Sequence, residues 1–90
     1  MDKAENDDLR ARLKRIAGQV GGIQRMLDEE RACLDVVMQI SAARAALAKV
    51  GRLLFHQHLA TSLAAIADQS AAVRRHTLDE LLRSLERCDL

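Results

Sequence analysis

Proline, tryptophan and tyrosine are missing from the chain, and Phe55 is its single aromatic residue. The missing prolines and the scarcity of β-branched runs remove the usual marks of a sheet protein. A lone aromatic also excludes the stacking platform used by many single-strand nucleic-acid binders. Any core has to come from Leu, Ile, Val, Met and Ala, the residues that pack between helices. Long apolar runs are missing too: no stretch approaches the roughly 20 residues needed to cross a bilayer, and the acidic start Asp2, Glu5, Asp7, Asp8 is unlike a secretory leader. The expectation is a cytoplasmic protein with no membrane partner. Cysteine is sparse, and Cys33 and Cys88 stand far apart, so in a reducing compartment they read as free thiols rather than a structural disulfide.

Acids are absent from particular places. The formal net charge is only +1, but Arg10, Arg12, Lys14, Arg15 and Arg25 occupy a stretch with no Asp or Glu, and from Val36 to Ala67 the only formal charges are Arg44, Lys49 and Arg52. Local fields decide which surface meets a polyanion, so these two segments are the candidate phosphate-facing regions. A run of arginines is more often a solvated helix face, whereas acid-free stretches on two helices meet the requirement of phosphate contact.

What is present is helical periodicity. Leu9, Leu13, Ile16, Val20, Ile23 and Leu27 advance by alternating steps of four and three, which predicts a first helix with one narrow apolar stripe. Asn6, Asp7 and Asp8 are the expected cap region, and Asp28 to Arg31 the expected turn. Gly18, Gly21 and Gly22 lie inside this helix at a cost of about 1 kcal/mol each relative to Ala, which calls for close backbone approach by another helix or a ligand. A second helix is predicted from near Ala32 to about Ala67, interrupted only by Gly51. At 1.5 Å per residue it would be roughly 50 Å long, too long for a compact globule of this size. Its Ala-rich middle, Ala42 to Ala48, allows close helix approach, which predicts an antiparallel dimer crossing there. Asp68 to Ser70 signal a turn before a shorter third helix carrying Val73, Leu78, Leu81, Leu82 and Leu85. The fold class is therefore all-α: a three-helix protomer with one very long central helix, completed by a partner chain and forming one domain, 1–90.

The residues with chemistry are few. Cys33 and His58 are separated by roughly 37 Å along one helix yet return to nearly the same face. An antiparallel partner crossing near Ala45 and Ala46 would bring Cys33 of one chain beside His58 of the other, with Ser62 one turn beyond. A soft thiolate with an imidazole makes a metal site or a reactive-thiol site, against the plainer reading of a small buried thiol and a surface histidine. Cys88, His56 and His76 show no partner in the sequence. A thiol enzyme would need a nucleophile motif and an oxyanion site, and neither is legible; a purely structural helical adaptor would use the same seam.

Five blocks carry a family resemblance: Arg12-Leu-Lys-Arg-Ile-Ala-Gly-Gln19, Gly22-Ile-Gln-Arg-Met-Leu27, Cys33-Leu-Asp-Val36, Gln39-Ile-Ser-Ala-Ala-Arg-Ala-Ala-Leu47 and His58-Leu59. In order and spacing they resemble the CsoR/RcnR/FrmR family of bacterial repressors over nearly the whole chain. The resemblance implies an antiparallel four-helix-bundle dimer, a dimer of dimers, and operator double-stranded DNA bound in the effector-free state. It carries effector-sensing roles to Cys33, His58 and Ser62, with Glu80 in support and the Met1 amine as a further contributor. Copper-sensing members have a second cysteine where this chain has Ser62, so a soft ligand for Cu(I) is missing. Nickel- and cobalt-sensing members have a histidine there, and persulfide sensors need the second thiol. By elimination the pattern most resembles the formaldehyde-responsive members, although Asp2 replaces their N-terminal proline. The expectation is thus a repressor with no required cofactor, released by formaldehyde or a related electrophile at Cys33 and His58. The alternative is a metal-sensing repressor (Zn, Ni, Co, or less readily Cu) using the same two residues. DNA contact is expected through Arg12, Lys14, Arg15 and Gln19 of the first helix, supported by Arg44, Lys49 and Arg52, with steep salt dependence and specificity drawn from DNA shape.

Overall fold

A computed structural model describes residues 2–89, which form three helices and no strand. Helix α1 spans Lys3–Asp28, α2 spans Cys33–Ala65 and α3 spans Ala71–Arg87. The chain divides into two compact units, Asp2–Val50 and Gly51 onward, with the boundary inside α2.

In the first unit α1 starts earlier than the Asn6 to Asp8 signal implies. Asp2 is its N-cap and accepts from the Glu5 amide at 2.8 Å. The pattern Asp2-Lys3-Ala4-Glu5 places an acid three residues after the cap, the arrangement of a capping box, and that signal takes precedence over the later acids. The helix ends in a Schellman turn: the Glu30 amide donates to the Leu27 carbonyl and the Arg31 amide to the Met26 carbonyl. Glu30 occupies the left-handed position of that turn, with φ at 56°, where glycine is the usual residue. The core of this unit is built at heptad spacing, Leu9 and Ile16 from α1 with Val36, Ala43 and Val50 from α2. Read in reverse along α2, the two series match in step, as a helix hairpin with a short connection requires.

In the second unit α2 continues through Gly51 without a break and ends at Ala65. The turn that follows is closed by Arg74, whose guanidinium donates to the carbonyls of Gln69 at 2.8 Å and Ala67 at 3.4 Å. Ser70, within the predicted turn, caps α3 by accepting from the Val73 amide. Leu81 is the buried residue of α3, while Leu78 and Leu82 beside it are exposed.

Candidate sensor seam and nucleic-acid face

Cys33 is the first residue of α2. The Ala32 carbonyl accepts the Asp35 and Val36 amides, but Ala32 has no side-chain oxygen to cap the turn, and the Cys33 thiol is free and exposed. His58 is exposed in the second unit, and its ring meets Phe55 edge-on, with centroids 6.4 Å apart and planes at 60°. Phe55 thus restricts the imidazole, a role that its place three residues earlier on the same helix makes legible only in hindsight. Ser62, one turn after His58, is half-buried. Glu80 is exposed, and its Oε1 lies 2.9 Å from Nε2 of His76, so His76 has the partner that the sequence did not reveal. Met1, the expected amine donor, lies outside the described residues. Among those residues no three His, Cys, Asp or Glu side chains gather to hold a metal ion.

Cys33 belongs to the first unit and His58 to the second, and what they have in common is a spacing in the sequence of α2. The series Cys33, Val37, Ile40, Arg44, Leu47, Gly51, Leu54, His58 advances by alternating steps of four and three, the spacing of a helix–helix seam. Its large apolar members lack cover in the single chain: Val37, Ile40, Leu47 and Leu54 are 51%, 49%, 52% and 46% exposed. The spacing of the series also reads the same in both directions. Reversed, it sets Cys33 against His58, Val37 against Leu54, Ile40 against Gly51 and Arg44 against Leu47.

The expected DNA residues divide by face. Arg12 is half-buried, and its Nε donates to Asp8 Oδ2 at 2.9 Å, so it is already engaged. Arg15 is exposed and Gln19 half-buried on the same flank of α1, while Lys14 stands on the side away from Leu9 and Ile16. On α2 Lys49 and Arg52 share a face, but Arg44 is a member of the seam, about 140° around the helix from Lys49 at 100° per residue. The three therefore do not form one patch. The expected close approach at the α1 glycines is not met by the chain itself: nothing lies within 4 Å of a Cβ built on Gly18, and only the Arg25 guanidinium, at 3.7 Å, approaches Gly21 and Gly22. No helix among the described residues is long and apolar enough to cross a membrane.

Compared with known proteins, residues 5–87 match the family model described as a metal-sensitive transcriptional repressor. The copper-sensing transcriptional repressor CsoR of Bacillus subtilis (strain 168) is 48% identical over 54 residues, which cover 60% of this chain and 54% of that relative. The matched stretch spans little more than half the length of such curated relatives. Among solved structures, the copper-sensing repressor CsoR with Cu(I) from Geobacillus thermodenitrificans NG80-2 superposes with a TM-score of 0.79 at 36% identity, covering 97% of this chain and 88% of that one. The nickel-responsive transcriptional regulator InrS gives a TM-score of 0.77 at 33% identity, covering 90% and 89%. These proteins are described as responsive to metals. The expectation of formaldehyde sensing finds no support among them, and the metal-sensing alternative is favoured.

Proposed function

The chain belongs to the metal-sensitive transcriptional repressor family, and from that premise we propose that it binds operator DNA when metal-free and releases it when a transition metal binds at Cys33 and His58 contributed by two copies of the chain. The family is one of repressors, which sets aside the thiol-enzyme reading. The observation that carries the proposal is the seam of α2 with its palindromic spacing, whose large apolar members are uncovered and whose ends are the only thiol and the only imidazole in the series. A second copy laid antiparallel on that seam covers the apolar residues and supplies His58 to Cys33, twice by symmetry. With no three-ligand cluster among the described residues of one copy, the proposed assembly is the route by which metal donors would come together.

The donor set favours a borderline metal. Cys33 and His58 suit Zn(II), Ni(II) or Co(II), and the hydroxyl of Ser62, in place of a thiolate, removes a soft ligand that Cu(I) would use. Ser62 and Glu80 are proposed to support the site, Glu80 only after leaving His76. A bound metal supplies a link between two chains at each end of the seam. Release of DNA follows if that link is stronger in a tetramer arrangement with poor DNA affinity, because an effector shifts an equilibrium only by its unequal affinity for the two states. DNA contact is assigned to Lys14, Arg15 and Gln19 on α1, with Lys49 and Arg52 on α2. Arg12 and Arg44 contribute less, the first being held by Asp8 and the second lying in the seam.

The test titrates the promoter-bound protein with Zn(II), Ni(II), Co(II), Cu(I) and formaldehyde, reading DNA release by fluorescence anisotropy and thiolate ligation by Co(II) absorption. Release is expected with a divalent metal and is expected to be lost in Cys33→Ala and His58→Ala, both of which should still bind DNA. Undiminished metal-driven release from Cys33→Ala would refute the assignment, and release by formaldehyde alone would restore the aldehyde reading.

A further inference from the structure

The face of α1 turned away from Leu9 and Ile16 carries charge that the fold does not use. Lys14 and Arg15 lie one turn before Gly18, Gly21 and Gly22 lie one turn after it, and Arg25 lies two turns after it, so these six residues form one surface. Lys14, Arg15 and Arg25 are exposed and make no ion pair among the described residues, and the helix has no acid between Leu9 and Leu27. The Arg25 guanidinium lies back over Gly21 and Gly22, with its nitrogens 3.7 Å from where each Cβ would be. That is ordinary contact, and Gly18 faces open space, so alanine would fit at all three positions in the single chain. The chain's own packing does not require these glycines.

We propose that this surface, with Arg25 as a contact residue, is the α1 footprint on duplex DNA, where the missing Cβ atoms let one phosphodiester strand approach the helix backbone between Lys14 and Arg15 on one side and Arg25 on the other. The proposal rests on the repressor reading and deepens it by moving the footprint from the Arg12 flank to the Gly18 face. Three unpaired cations around a side-chain-free strip complement a polyanionic backbone, and a second copy of this chain, equally basic here, would be repelled. Phosphate contact fixes position rather than sequence, so these residues set affinity and register.

The test measures binding of the full chain to a labelled duplex of its own promoter region over a salt series, beside sedimentation and thermal melting. Arg25→Gln is expected to lower the slope of log affinity against log salt by about 0.9, and Arg25→Lys to preserve it. Gly18→Ala should melt no lower than the unsubstituted chain, since alanine favours the helix, yet bind DNA about tenfold more weakly. Unchanged affinity in both Arg25→Gln and Gly18→Ala would overturn the footprint while leaving the repressor reading intact. Weakening accompanied by a changed oligomeric state would overturn it in favour of packing against a second copy. Failure of the unsubstituted, metal-free chain to bind any duplex at low salt would remove the repressor reading, and the footprint with it.

Discussion

Ser62 stands one turn beyond His58 with a hydroxyl rather than a soft donor, and under the proposed metal-sensing reading that oxygen disfavours Cu(I). Phe55 was legible only as an isolated aromatic. In the fold it meets the His58 ring edge-on, a contact of the kind that contributes about 0.5–1.5 kcal/mol. Phe55→Leu keeps the apolar volume and removes the restraint on the imidazole, so Zn(II) affinity should fall by about threefold to tenfold with helicity and the alkylation rate of Cys33 unchanged. A competition titration checks this, and an unaltered affinity would mean that Phe55 only packs. Glu80 and His76 show the converse: the sequence set them four residues apart on one helix, yet their pairing at 2.9 Å became evident only with the helix in view.

The helices themselves were mostly legible because their apolar residues recur with helical period, and both turns fall where that period breaks. Three consecutive polar residues at Asn6 to Asp8 mimic a cap and place the expected start of α1 several residues late; the Asp2 carboxylate accepting from the Glu5 amide is what marks the true one. The end of α1 contains the least favourable backbone in the described chain, with Glu30 held at φ 56° inside a Schellman turn. A left-handed conformation costs a side chain roughly 1–2 kcal/mol that glycine does not incur. Glu30→Gly, after allowance for glycine's greater freedom when unfolded, should stabilise the chain by up to about 1 kcal/mol. Thermal unfolding followed by circular dichroism measures it, and a lowered melting point would show that the Glu30 side chain contributes more than its backbone costs.

For the whole molecule the governing observation is how little one copy buries. Among the described residues six hydrophobic side chains are buried, none of them completely, while 13 large ones are exposed, four of them along the α2 seam. Exposed apolar surface on this scale marks an association site. Ile40→Lys would place two like charges in the proposed twofold seam beside Arg44, so sedimentation should show the oligomer shifted toward the 10.0 kDa chain, with metal-driven DNA release lost. A variant that sediments as the unsubstituted chain does would show that assembly uses another face.

Composition and period alone determined an all-α chain with three helices, a thiol and an imidazole in register, and a first helix free of acids along most of its length. These properties follow from local spacing, which the helix geometry converts directly into faces. Only the tertiary structure decided which cations are already paired, which member of each apolar series is covered, and that no contact within the chain is close enough to require the α1 glycines. Burial and pairing depend on residues distant in sequence meeting in space, and a one-dimensional pattern carries the period of a face but not the identity of what lies against it.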